Sequence, residues 1–404
     1  MTTLDRDLPR ASTRPSSALG RVAMTVLERV LPGIEDGALL LRLPDGSERR
    51  YGSGQDEVSM HIDDWRLLER IARTPKLALG ESYQAGEWHS DELVPLLELL
   101  LRNAGAGAER HPGWRRFTEA RPRINRRTGL LAARRNIEAH YDIGNDLFAL
   151  FLDETMTYSC AIFEHEGESL AEAQRRKLRR VCEQLELGAD DHVLEIGCGW
   201  GSFALTAAGE YGARVTGVTI SPAQAALARA RIEDAGLSDR IAIVECDFRE
   251  LDGSFTKIAS IEMLEAIGEK LWKPFFATCD RLLAPGGRGC IQTILVPDER
   301  LSRYRASPDW IERHIFPGCL IPSRAAIGRA LEPTSLGVAA DTEIGGDYGE
   351  TLARWRERFH AHLGEVRALG YDERFVRTWD FYLASCEALF RTGLMKDAQL
   401  VLAR

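Results

Sequence analysis

Short apolar runs and stretches of helical spacing alternate through the second half of the chain. Val193–Ile196, Arg214–Thr219, Ile241–Val244, Ile258–Met263 and Arg288–Val296 read as strands, and the helical stretches between them give the rhythm of a doubly wound parallel sheet. Ser221-Pro222-Ala223-Gln224 supplies a helix start, with Ser as cap, Pro at the first position and Gln closing a capping box. Pro285-Gly286-Gly287 turns the chain into the last of these strands. Upstream, Leu39–Leu43, Pro44-Asp45-Gly46 and Arg49–Tyr51 predict a strand, a turn and a strand, and Trp65–Ala72 and Leu93–Leu101 predict amphipathic helices. The chain shows no internal repeat. The expected class is α/β: a Rossmann-like, doubly wound domain with a smaller N-terminal α+β domain.

The strand Val193–Ile196 carries the chemistry. Its apolar run includes Glu195 and opens into Gly197, Gly199 and Gly201 at alternate positions, followed by a helical stretch through Phe203-Ala204-Leu205 and Ala207-Ala208. Glycine serves where a turn needs positive φ or where backbone must approach a ligand closely. A dinucleotide fingerprint has its third glycine three residues after the second; here Ser202 holds that place. The spacing instead suits a cofactor with an amino-acid tail and no phosphates, S-adenosylmethionine. In an open parallel sheet, ligands bind beyond the carboxyl ends of the strands. That rule selects Gly197–Gly201, Thr219–Ser221, Asp247 and Phe248, Glu262 and Glu265, and Gln292–Ile294. Phe248 is placed to stack on an adenine and Asp247 to take its amino group, a core Phe beside a surface Asp being the plainer alternative. Gln224 is explained equally by the capping box.

Composition narrows the setting. The 404 residues exceed one ordinary domain, and the net charge of −9 disfavours nucleic acid as a bulk partner. No apolar stretch approaches the roughly 20 residues that span a bilayer, and the N-terminus lacks an apolar signal core, so a cytoplasmic protein is expected. Eight scattered cysteines form no CxxC pair and no Cys/His cluster, which predicts no disulfide framework and no metal, with most thiols buried as small hydrophobes. Residues 1–20 read as a flexible tail and 21–108 as the N-terminal domain. Between Gly105 and Arg135 nine arginines face only Glu109 and Glu119. We read 109–135 as a basic linker, either a solvated connector or a strip for anionic lipid headgroups, each such charge contributing about 1 kcal/mol near an anionic surface.

His140-Tyr141-Asp142-Ile143-Gly144-Asn145-Asp146-Leu147-Phe148, continuing through Leu152-Asp153-Glu154-Thr155-Met156-Thr157-Tyr158-Ser159-Cys160, is not explained by fold alone. It closely resembles the signature of the cyclopropane-fatty-acyl-phospholipid synthase family, which includes mycolic acid cyclopropane synthases. Gly80-Glu81-Ser82-Tyr83, Gly86-Glu87-Trp88, Ser260–Gly268, Ile315-Phe316-Pro317-Gly318 and Trp355–Phe359 match as well, so that the resemblance covers roughly 80 to 395 and makes 136–404 the catalytic domain and 21–108 a lipid-docking domain.

The resemblance implies transfer of a methyl group from S-adenosylmethionine to the cis double bond of an unsaturated phospholipid acyl chain. A bound bicarbonate would then deprotonate the carbocation and a cyclopropane would form. Loss of the proton after a hydride shift would instead leave a methylene branch, the alternative product. A fold that kept lipid binding and lost catalysis is a third reading. Carried over residue by residue, the bicarbonate groups are Cys160, Glu265, Ile294 through its backbone, Tyr348 and, at a position often histidine in the family, Gln292. Glutamine there can orient an anion but cannot accept its proton. The cofactor groups are Tyr158, Ser159, Glu195, Gly197, Gly199, Gly201, Thr219, Gln224, Asp247 and Phe248. A homodimer working at the inner membrane face on unsaturated phospholipids, without nucleic acid, completes the expectation.

Overall fold

A computed structural model describes residues 15, 17–110, 144–306 and 309–404. They fall into two compact units: residues up to 110 with Asp372–Ala388, and residues from 144 to Tyr371 with Leu389–Arg404. The basic stretch beyond 110 and His140–Ile143 lie outside the described residues.

In the first unit, β1 (Ala38–Arg42), β2 (Glu48–Gly52), β3 (Glu57–Ile62) and β4 (Trp88–His89) form a sheet in the order β2-β1-β3-β4. The expected hairpin is β1–β2, antiparallel, with Leu40 opposite Arg50. Helices Arg66–Arg73 and Leu93–Arg110 correspond to the two expected, and Ala18–Val30, Pro75–Gln84, β3 and β4 are additions. Ser17 caps the helix Ala18–Val30 through its hydroxyl, so regular structure begins inside the segment read as a tail.

The sequence reading assigned everything after 136 to the catalytic domain, whereas Asp372–Ala388 belongs to the first unit. Polar and aromatic contacts explain why. Tyr83 Oη donates to Asp380 at 2.6 Å and Gln84 Nε2 to Thr378 Oγ1 at 2.9 Å. Arg377 donates to the carbonyls of Tyr83 and Trp88 while its guanidinium lies 4.2 Å from the Tyr83 ring centroid. Tyr83 and Trp88 both pack on Phe381.

The second unit carries β5 (His192–Ile196), β6 (Arg214–Thr219), β7 (Ile241–Glu245), β8 (Phe255–Ile261), β9 (Leu283–Leu295), β10 (Gly337–Glu343) and β11 (Lys396–Ala403). Their order is β10-β11-β9-β8-β5-β6-β7. The five strands read from the sequence are the parallel ones; β11 pairs antiparallel with β9, and β10 closes the edge antiparallel to β11. The parallel strands are apolar because helices cover both faces. One face buries Leu194, Ile258 and Ile291 with Trp272, Phe275 and Phe276 from the helix Glu269–Leu282. The other buries Val193, Val215 and Ala259 against the helices Leu170–Gln184 and Ser202–Tyr211. Order reverses at β5, so the crevice at the switch point opens beyond its carboxyl end.

Candidate active site

The turn after β5 needs its glycines. Gly197, Gly199 and Gly201 have φ of +85°, +52° and +84°, a region costly for residues with a Cβ. At Gly197 a Cβ would lie 2.7 Å from Met263 Cγ, whereas at Gly199 it would meet nothing within 4 Å. The backbone there faces open space, a cavity of about 420 Å3. Tyr158, Ser159, Glu195, Thr219, Gln224, Asp247 and Phe248 line it together with Gly197 and Gly199, so the residues expected to hold the cofactor border one space except Gly201, whose Cβ direction faces Ala228.

Local bonds hold these groups. Thr219 Oγ1 donates to Gln224 Oε1 at 2.9 Å, while the Ser221 hydroxyl accepts from Gln224 N; the Ser221 cap forms, but Ser221 N donates to Thr219 Oγ1 at 3.1 Å rather than to Gln224, so the expected capping box is not closed. Asp247 accepts from Arg249 through both oxygens, at 2.7 and 2.5 Å. Phe248 is buried and packs edge-on against Phe275, so core packing fixes the ring that also borders the cavity. Glu195 is enclosed in the sheet, burial pushes its carboxyl well above the usual range, and its Oε2 has no hydrogen-bond partner.

The segment before Cys160 is clamped from several sides. Arg231 donates to the carbonyls of Thr155 and Trp200, and Arg358 to those of Phe151 and Leu152. Gln174 Nε2 holds the Ser159 carbonyl at 2.8 Å. Tyr158 packs edge-on against Phe148 and Phe151 and tilted against Trp355, with centroids 5.1 to 6.1 Å away. Asn145 receives the indole N–H of Trp200 at 2.8 Å. Part of the polar and aromatic signature thus fixes the wall of the cavity.

Beyond that wall lies a buried polar cluster built by strand register. Gln399 on β11 pairs with Gln292 on β9, and Asp397 with Ile294; directly opposed residues share a face. Gln292 Nε2 donates to Glu262 Oε1 at 2.9 Å and lies 3.4 Å from Asp397 Oδ2, while its own Oε1 accepts from Gln399 at 3.1 Å. Cys160 N donates to Glu262 Oε1 at 2.8 Å and Tyr348 Oη to Glu262 Oε2 at 2.5 Å. Lys177, buried, donates to Ser159 Oγ. Burial draws the Lys177 ammonium below its ordinary value and pushes Asp397 and the Cys160 thiol well above theirs.

Glu265 forms a second centre. Its Oε1 accepts from Thr293 Oγ1 at 2.8 Å and from Ile294 N, and its Oε2 has no partner. Burial, with the Glu262 charge behind it, pushes its carboxyl up to about 8. The structure therefore assembles all five residues expected around bicarbonate, but divides them. Ile294 N is taken by Glu265, and Cys160 N, Gln292 and Tyr348 by Glu262. They do not form a free cradle for that anion.

Sequence reading placed Glu262 on the rim without a role, and missed Lys177, Asp397 and Gln399. Two signals were present. Lys177 interrupts an apolar helical stripe of Leu170, Ala173, Leu178 and Val181, and Asp397 and Gln399 interrupt an apolar strand.

Among the described residues no cluster suits a metal ion and no helix is long and apolar enough to cross a membrane. None of the eight cysteines is in a disulfide; six are buried and two, Cys246 and Cys386, half-buried.

Comparison with known proteins places the chain. The family model described as mycolic acid cyclopropane synthetase matches residues 130–400. The chain belongs to that family. This puts it among S-adenosylmethionine-dependent lipid methyltransferases. It is 41% identical over 351 residues to the tuberculostearic acid methyltransferase of Mycobacterium tuberculosis, covering 84% of this chain and 81% of that one. It is 35% identical over 357 residues to the cyclopropane-fatty-acyl-phospholipid synthase of Escherichia coli, covering 87% and 89%. Among solved structures, a cyclopropane synthase from Mycobacterium tuberculosis aligns with a TM-score of 0.64 and 29% identity over 69% of this chain and all of that one. A mycolic acid cyclopropane synthase complexed with SAH and CTAB aligns with a TM-score of 0.63 and 28% identity over 67% and 98%. The α/β fold of this methyltransferase family is thereby established for the second unit.

Proposed function

We propose that this protein transfers a methyl group from S-adenosylmethionine to the cis double bond of an unsaturated acyl chain in a phospholipid. The observation that carries this reading is the single cavity bordered both by the glycine turn and by Glu262, the carboxylate that gathers Cys160 N, Gln292 and Tyr348. Bound there, the sulfonium cofactor supplies an electrophilic methyl group.

The residues present fit that cofactor. The open face of Gly199 admits close approach of a ligand to backbone, and the volume lies in the usual range for cofactor sites. Phe248 and Asp247 would hold the adenine end, Thr219 and Gln224 the neighbouring hydroxyls, and Tyr158, Ser159 and the glycine turn the amino-acid tail. An alkene is a weak nucleophile and its attack leaves a carbocation, so the site must exclude water and present ring faces. Tyr158, Trp200 and Phe248 border the cavity, and Phe148, Phe151 and Trp355 pack behind Tyr158 and hold its ring.

A methylene-branched product is favoured by the 41% identity to a relative that methylates without ring closure. The cyclopropane expected from the sequence is the second reading, supported by the 35% identity to a cyclopropane-forming relative. Incubation with S-adenosylmethionine and oleoyl phospholipid vesicles, followed by mass spectrometry of the acyl chains, tests the proposal. A gain of one CH2 is expected, with the double bond retained for a branch and lost for a ring. Vesicles unchanged while other acceptors are methylated would overturn it.

A further inference from the structure

Three residues that family resemblance assigned to bicarbonate, Cys160, Gln292 and Tyr348, donate to one carboxylate belonging to the chain, while Ile294 N goes to Glu265. Cys160 N and Gln292 Nε2 reach Glu262 Oε1 at 2.8 and 2.9 Å, and Tyr348 Oη reaches Oε2 at 2.5 Å. A bicarbonate presents the same features: two oxygens sharing a negative charge and accepting from convergent donors. Of the buried cluster's two glutamates, only Glu262 borders the cavity; Glu265 turns away to Thr293 and Ile294.

The backbone points the same way. Glu262 has φ +49°, a conformation that non-glycine residues rarely keep without a compensating role. Its N–H is anchored on the Gln292 carbonyl at 2.8 Å, which sets the side chain at the end of β8 toward the polar cluster. Gln292 cannot take a proton, but its amide orients a carboxylate that can.

Resting on the methyl-transfer reading above, we propose that the Glu262 carboxylate occupies the anion position of this site and is itself the base for the newly added carbon, so that turnover needs no bicarbonate. As the alkene attacks, the new C–C bond forms and the S–CH3 bond breaks, its electron pair staying on sulfur. The cation on the acyl chain then loses a proton from the new methyl group to Glu262. The C–H electron pair closes a cyclopropane or, where a hydride shift has first moved the cation to the methylated carbon, forms the C=CH2 of a methylene branch. Glu262 emerges as the neutral acid and returns its proton to solvent through the cavity it borders once product leaves.

The test compares wild type, Glu262→Gln and Glu262→Gly in buffer purged of carbon dioxide, with and without added bicarbonate. Glycine is the residue best suited to φ +49°, so Glu262→Gly is expected to stay folded, checked by its melting temperature and by calorimetric affinity for S-adenosylhomocysteine. Wild-type turnover should be the same with and without carbonate. Glu262→Gln should lose about 100-fold or more, the range for removal of a general base. Glu262→Gly should lose as much and regain activity when bicarbonate fills the space. In 13C NMR, labelled bicarbonate should broaden with Glu262→Gly and stay sharp with wild type, a readout that holds whatever the acceptor lipid. Wild-type activity that falls on carbonate removal, broadening in the wild type, or full activity in Glu262→Gln would each overturn the assignment. Absence of any acyl methylation by wild type would refute the methyl-transfer reading instead.

Discussion

Replacing Glu265 by Gln changes how the stability of this protein depends on pH, and the structure sets sign and size. The carboxyl is fully enclosed, accepts from Thr293 and Ile294 through one oxygen, and leaves the other without a partner. Burial, then the neighbouring charge of Glu262, raises it from 4.5 to about 8. Between those values the folded protein keeps a proton that the unfolded chain has released. Stability from this group is therefore present below 4.5, falls as pH rises toward 8, and is flat above. The slope cannot exceed about 1.4 kcal/mol per pH unit, and the whole interval amounts to about 5 kcal/mol at most. Glutamine mimics the neutral acid without titrating. Urea unfolding of both proteins, followed by tryptophan fluorescence from pH 5 to about pH 9, should show wild type losing stability relative to the variant across that interval. Parallel curves would refute the claim that Glu265 is held protonated.

The same variant should retain affinity for S-adenosylhomocysteine and most of its turnover near neutral pH, by calorimetry and a methyl-transfer assay, because glutamine replaces a carboxyl held neutral outside the cavity; lost turnover with affinity intact would place Glu265 in the chemistry. Gly197→Ala, at φ +85° and against Met263, should cost about 1–3 kcal/mol and weaken the same affinity, both read by calorimetry. Tyr83→Phe removes the bond to Asp380 in the first unit and should lower its stability by about 1–2 kcal/mol, seen as faster amide exchange in 75–84. Charge reversal of Arg121, Arg123, Arg126 and Arg127 should weaken sedimentation with anionic vesicles, most at low salt; unchanged binding would return that stretch to a plain connector.

Much of the catalytic fold was legible because parallel strands must be apolar and their turns must carry glycine. The strand Val193–Ile196, the turn at Gly197–Gly201 and the Ser221 cap stand where the pattern placed them. β10 and β11 escaped because β10 is almost wholly exposed and β11 carries acid and amide positions inside an apolar run. The site was legible as a rim but not as a network. Register between β9 and β11 brings Gln292, Asp397 and Gln399 together across more than 100 residues of sequence, a long-range pairing that local spacing does not encode. Sequence reading assigned Glu265 a role and Glu262 only a place on the rim; in the structure it is Glu262, at φ +49°, that meets Tyr348 and borders the cavity. The segment Asp372–Ala388 shows the same limit, since its place follows from contacts with Tyr83, Gln84 and Trp88 nearly 300 residues away.

The central claim is that a methyl group is added to an acyl alkene and that a base of this site then takes a proton from that same carbon. The most direct measurement is mass spectrometry of oleoyl phospholipid chains after reaction with S-adenosylmethionine carrying a CD3 group. The account predicts that each product chain gains a CD2 unit, whether as ring or as methylene branch. Chains that retain the whole CD3 group would contradict it, because the proton would then have left from the acyl chain itself.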